Sequence, residues 1–193
     1  MNSFKVFRLK QKEWYERELD QTPIQMGNPN AMIAVIGQAP SRNAMANQKH
    51  FFDQTGRKLR HEWLMVSDED FYNPDLFYAT ALGLIFPGKD KNGGDKKPDL
   101  SLPRRWLIEE LSFLDPKIFL VLGRMAADFL FPHQKFNELI FKDQELFGKK
   151  TFVFPHPSPL NIKWLKDHPK FIEERIPEIR REVHETLGYP ATL

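Results

Sequence analysis

Four short apolar runs constrain this chain more than anything else in it. They are MIAVIG at 32–37, LFYATAL at 76–82, KIFLVLG at 117–123 and TFVFP at 151–155. None shows the strict apolar–polar alternation of a strand with one wet face, so each reads as a strand buried on both sides. Strands of that kind belong to parallel sheets covered by helices on both faces.

The intervals between the strands carry helical patterns. Residues 4–20 mix Phe7, Trp14 and Tyr15 with Lys, Arg and Glu, an amphipathic helix. Gly27-Asn28-Pro29-Asn30 punctuates a turn. GRKLRHEWLMV at 56–66 follows Thr55, a usable N-cap, and puts Leu59, Trp63 and Val66 at helical spacing. Ser101, with Pro103 two residues on, opens a helix bearing Leu107, Leu111 and Leu114. RMAADFLF at 124–131 is a short helix. The last helix starts at Pro169 and carries Ile172, Ile176, Ile179, Val183 and Leu187, with Gly188 at its stop and Pro177 placed to kink it. Buried strands alternating with helices predict an α/β sandwich around a parallel sheet.

Composition narrows the classes. The chain has 193 residues, 41% of them hydrophobic and 17 of them Phe, enough for a packed core and the length of one domain over 1–193. With no cysteine, it has no disulfide framework, thiolate zinc site, cysteine nucleophile or cysteine-ligated cluster. That is compatible with a reducing cytosol, and a cytoplasmic location is expected. No apolar run approaches the roughly 18–20 residues of a membrane span, and the N-terminus lacks a signal-peptide core, so no membrane is expected. The net charge of +2 requires any nucleic-acid contact to be local.

In parallel α/β folds ligands bind beyond the carboxyl ends of the strands, here after residues 37, 82, 122 and 155. Two of these loops stand out. In Gly37-Gln38-Ala39-Pro40-Ser41-Arg42-Asn43, Gly admits close backbone approach and Pro stiffens the turn. Amide N–H groups there can face a carbonyl or anion, although a plain strand-to-helix turn has the same signature. In Pro155-His156-Pro157-Ser158-Pro159-Leu160-Asn161, three prolines fix the loop around a histidine, suiting a preorganised donor. The competing reading is a proline-rich strand exit with an incidental histidine. Phe51-Phe52 is either core or a platform for a base, with His50, Asp53, Gln54 and Gly56 as loop neighbours. Lys89, Lys91, Lys96 and Lys97 make the 88–99 loop basic, either solvated surface or a contact for phosphate. The histidines show no metal-ligand spacing, and no dinucleotide, Walker or nucleophile-elbow motif occurs.

Taken in order, GQAPS, FFDQTGRKLRHEWL, YATALGLIFPGKD, LVLGRMAADFL and FPHPSPLNIKWL resemble the uracil-DNA glycosylase superfamily, more narrowly the cluster-lacking branch related to its iron–sulfur members. HPSPLN is the most specific piece, and the resemblance covers roughly residues 30–185. It implies a three-layer α/β sandwich with a central four-stranded parallel sheet, no cofactor or metal, a monomer, and DNA as partner. It implies base excision after flipping of the base.

By that resemblance His156 steadies charge developing on the leaving base, and Phe51 stacks on it. Gly37, Gln38, Ala39 and Pro40 face the base. Ser158 grips a phosphate, Leu160 wedges into the duplex, and Pro159 and Asn161 complete that loop, with Lys89, Lys96 and Lys97 as further DNA contacts. The sequence departs from the family where Ala39 or Gln38 would be a carboxylate, where Ala81 would be an Asn reading the base, and where Ser41 would be a Tyr excluding a methyl group. Gln38 or Asn43 would then position water, as amides do in related branches. A lost carboxylate leaves two alternatives open, a non-catalytic binder of nucleic acid or nucleobase and a different small-molecule hydrolase on the same scaffold.

Overall fold

A computed structural model describes residues 3–190, so the first two and last three positions of the expected 1–193 domain lie outside it. The strands are β1 (Ile33–Gly37), β2 (Phe77–Ala81), β3 (Ile118–Leu122), β4 (Gln144–Leu146) and β5 (Lys149–Phe154), ordered β2-β1-β3-β5-β4. β2, β1, β3 and β5 are parallel, as the four apolar runs predict. The fifth strand, β4, is antiparallel to β5 at the edge. Sequence reading missed it because it is three residues long and turns through Phe147-Gly148. Both turn residues have positive φ, a conformation that Asn-Gly signals far better than Phe-Gly.

The helices are α1 (Ser3–Leu19), α2 (Arg42–Asn47), α3 (Gln54–Arg57), α4 (Asp68–Phe71), α5 (Ser101–Arg105), α6 (Leu107–Ser112), α7 (Arg124–Leu130), α8 (Phe136–Phe141), α9 (Ile162–Asp167) and α10 (Ile176–Leu187). α3 runs on into a wider, π-type stretch, Lys58–Leu64, which ends at Met65 in the left-handed region. Its N-cap is Asp53 rather than Thr55: the Asp53 carboxylate accepts from Gly56 N at 2.8 Å. The Ser101 helix breaks at Trp106, leaving Leu107 and Leu111 buried on α6 and Leu114 beyond its end. The final helix runs without interruption from 169 to 187, through Pro177. A π-type stretch, Phe171–Arg175, passes directly into α10, and Pro177 lies just beyond it, where the widened turn accommodates the missing N–H. Gly188 closes α10 at φ 72°.

The register explains the layers. Paired residues of parallel strands point to the same side, so Phe77, Val35, Leu120, Phe152 and Phe154 share one face, and Tyr78, Ala34 and Phe119 the other. The first face is covered by the 58–64 and 171–175 stretches. Trp63 stacks on Phe154 with ring centroids 6.0 Å apart, and the Arg175 guanidinium lies 5.0 Å over Phe152. The second face is covered by α1 and α6, with Phe4 against Tyr78 and Phe113. Every residue of β1, β2 and β3 is buried. The result is the expected three-layer α/β sandwich.

A polar tie holds α1 to this core. The buried Glu110 carboxylate accepts from Gln11 Nε2 and from the Tyr78 hydroxyl, both at 2.8 Å. Burial and the adjacent Glu110 charge push the Tyr78 phenol well above its ordinary pKa, so it donates throughout the physiological range. Replacing Glu110 by Ala strands two buried donors, and a loss of about 2–4 kcal/mol of unfolding free energy is expected in urea titration. A loss below about 1 kcal/mol would show that water satisfies both groups.

Candidate active site

The carboxyl ends of β1 and β2 and the loop after β5 converge on one small cavity. Its wall is built from Gly37 to Ser41, with His50, Phe51, Asp53 and Thr55 from one side, Ala81 from β2 and His156 from the loop after β5. All of the expected base-facing positions, Gly37, Gln38, Ala39, Pro40, Ser41, Phe51 and Ala81, therefore meet His156. The cavity measures about 30 Å³, room for roughly one or two waters.

Phe51 is held in place by a strained arrangement. Its φ of 59° lies in the left-handed region, which a bulky residue adopts at a cost of about 1–3 kcal/mol. Three neighbours over-determine it. The Phe51 ring crosses Gly37 so closely that a Cβ there would lie 2.9 Å from the ring. The Phe51 carbonyl sits where a Gly56 Cβ would be, 1.7 Å away. That carbonyl also accepts from the buried Arg60 Nη1 at 2.5 Å, while Arg60 Nε pairs with Asp68 at 2.6 Å. The spacing of five between Phe51 and Gly56 is thus a steric requirement.

The first loop is ordered by its own capping. Ser41 caps α2, its hydroxyl accepting from Ala44 N at 3.2 Å. Asn43 lies outside the cavity wall; its amide donates to the Phe52 carbonyl at 2.7 Å and ties this loop to the aromatic one. The backbone carbonyls of Gly37 and Gln38 accept from Leu82 N and Gly83 N at 3.0 and 3.1 Å.

The second loop is equally constrained. Ser158 accepts from Leu160 N at 3.2 Å and caps a short 3₁₀ turn, Pro159–Asn161. Asn161 Nδ2 donates to the His156 carbonyl at 2.7 Å. Gly123, at φ 88° after β3, lies under His156: a Cβ there would be 3.5 Å from the His156 Cβ, an ordinary contact, so it is the backbone conformation that calls for glycine. Leu160 stands out with 93% of its surface exposed, a cost in water that the loop's rigidity imposes. Burial lowers the pKa of His156, with the Asp53 carboxylate pulling weakly the other way, so the imidazole is neutral at pH 7.

A groove of about 750 Å³ continues from the cavity, sharing Gln38 and His156 with it. Lys97, Arg104 and Arg124 line it, along with Phe129, Phe136 and Trp164. Of the lysines expected to touch DNA, Lys97 is in this groove, whereas Lys89 pairs with Asp95 at 2.6 Å and Lys96 remains exposed outside it. Arg104 and Arg124 carry no sequence signal as DNA contacts, since each lies within a helix pattern read for its apolar face. Asp53 and His50 are cavity residues that sequence reading left as loop neighbours of Phe51.

Among the described residues no group of three His, Asp or Glu is arranged to hold a metal ion, and no helix is long and apolar enough to cross a membrane.

A family model described as the uracil DNA glycosylase superfamily matches residues 24–180, and the chain belongs to that superfamily. It is similar to the Type-4 uracil-DNA glycosylase of Saccharolobus solfataricus, 28% identical over 179 residues that cover 86% of this chain and 77% of that one.

Two stability outcomes follow. Gly56→Ala must drive Phe51 out of position, and a fall in Tm of several degrees is expected by thermal melting, against no change for Leu160→Ala. His50 has the second effect. Complete burial lowers its pKa to about 4, below the ordinary 6.5. Between those values the unfolded chain takes a proton that the folded one refuses, so stability falls as pH drops from 6.5 to 4. The loss should reach about 3 kcal/mol by urea titration and should flatten in His50→Gln.

Proposed function

We propose that this protein is a DNA glycosylase that hydrolyses the N-glycosidic bond of uracil or a related deaminated base in DNA. The observation that carries this reading is the meeting of Phe51, the Gly37–Ser41 loop and a neutral His156 in one cavity, opening onto a basic groove. A flipped base enters from the groove as the His156 loop moves away from the fixed Phe51 ring, on which the base stacks. The bond from C1′ to the base nitrogen breaks, and its electron pair leaves with the base. The His156 N–H donates to the base oxygen on which that charge gathers. Water oxygen then bonds to C1′, and the proton it loses ends on the departed base anion, giving the abasic sugar and the neutral free base.

Among the described residues, Asp53 is the only carboxylate of the cavity wall. It stands beside His156, close enough for its charge to act on the imidazole. It answers the absence of a carboxylate at Gln38 and Ala39: its charge balances the cationic sugar and orients the water. Lys97, Arg104 and Arg124 hold phosphates of the flanking nucleotides, and Ser158 and Leu160 meet the strand at the cavity rim. The protein then works on DNA in a soluble compartment, as a monomer.

A second reading, binding without turnover, is favoured by the amide and methyl side chains of Gln38 and Ala39. Single-turnover release of base from oligonucleotides containing uracil, hypoxanthine or xanthine separates the two. Wild type is expected to release at least one base, with His156→Ala slower by about 10²–10³-fold and Asp53→Asn, which still caps Gly56, slower by about 10²-fold. No release above the His156→Ala background would leave only the binding reading. Affinity for the same DNA should fall with salt, and Arg124→Ala should reduce the slope of log K against log salt by about 0.7–0.9.

A further inference from the structure

His50 is a buried polar group that the reading above does not use. Only 2% of its surface is exposed, and its Nε2 is buried without a hydrogen-bond partner. A ring nitrogen left in that state costs stability unless something else meets it. The ring forms part of the cavity wall beside Ala81 and Phe51, its centroid 6.1 Å from that of Phe51. The ring also bonds the Ile24 backbone. With Nε2 unpartnered, we assign that bond to Nδ1–H, donating to the Ile24 carbonyl. The tautomer is thereby set, and Nε2 keeps a lone pair and can only accept.

Two other polar side chains of the wall each already accept one hydrogen bond. The Ser41 hydroxyl accepts from Ala44 N, and the Asp53 carboxylate from Gly56 N. Ala81 offers a methyl group alone. His50, which shares the wall with Ala81, therefore holds one buried acceptor without a partner, covered until a base displaces what packs on it.

Resting on the glycosylase reading, we propose that His50 is the residue that reads the edge of the bound base, Nε2 accepting a hydrogen bond from a ring N–H that adjoins a carbonyl. Uracil carries such a group at N3, and hypoxanthine and xanthine at N1. Cytosine and adenine carry a lone pair at the corresponding nitrogen, which would face the Nε2 lone pair. The ligand class is thus a base with an imide or lactam N–H, the group that deamination creates. Burial keeps the imidazole neutral, so the acceptor persists across the physiological pH range.

The test uses 1-methyluracil, 1,3-dimethyluracil and 1-methylcytosine as probes, called uracil, 3-methyluracil and cytosine below because N1 is blocked in all three as it is by the sugar in DNA; they are titrated into the ¹⁵N-labelled protein and followed by NMR, beside uracil release from an oligonucleotide. Uracil should bind at least about tenfold more tightly than 3-methyluracil or cytosine, the penalty of an unmet buried acceptor. In His50→Ala that preference should collapse to near unity while affinity for uracil falls. His50→Gln, which offers an amide oxygen, should restore part of it, and the spectra of both variants report whether they fold. Equal binding of uracil and 3-methyluracil to wild type overturns the assignment, as does a preference that survives in a folded His50→Ala. Failure of any base to bind overturns it too. Should His50→Ala not fold, the methylated probe on wild type and the Gln variant still decide. Selective binding of uracil by a wild type that releases none from DNA would sink the glycosylase reading and leave His50 as the reader of a binding protein.

Discussion

Burial of the four parallel strands on both faces is the constraint on which the molecule depends. Backbone groups inside such a sheet are satisfied by neighbouring strands, and its side chains by helices, so neither face can open to a substrate. Only the strand ends remain. The carboxyl ends of β1 and β2 and the loop after β5 therefore carry everything polar that the site needs, and their positions are inherited from the sheet register. Gly37 pairs with Ala81 across β1 and β2, and that pairing alone puts both in the cavity wall.

Rigidity at these ends comes from local steric devices. Phe51 is trapped between Gly37, the Gly56 backbone and the Arg60 guanidinium, each of which removes one direction of escape. Proline and capping do the same for the His156 loop, where Ser158 and Asn161 spend their polar atoms on the loop's own backbone. Preorganisation of this kind means that donors and acceptors need not reorient while charge develops. It also leaves Leu160 exposed on a stiff support. The basic groove beside the cavity gives a chain of nearly balanced net charge a local surface suited to phosphate.

Some of this was legible from residue order. The apolar runs predicted the parallel strands, and GQAPS and HPSPLN marked the loops that meet. Other parts were not. β4 is too short to show a period, and Phe147-Gly148 does not advertise a hairpin. α2 buries only Ala44, so it has no apolar stripe to read. The break at Trp106 and the π-type stretch ahead of Pro177 depend on neighbours that local periodicity does not show. Asn43 looked like a site residue by its place in the loop, yet its amide is committed to the Phe52 carbonyl.

The sequence by itself determined the layered α/β architecture, the superfamily resemblance and the two loops, because each rests on local pattern: periodicity, proline and glycine chemistry, and residues in order. Tertiary structure alone decided which polar groups share the cavity. Asp53 and His50 lie more than a hundred residues from His156 in the chain, and no local rule distinguishes them from other loop residues. Their burial, their committed hydrogen bonds and the one left unmade at His50 exist only once the strand ends are brought together.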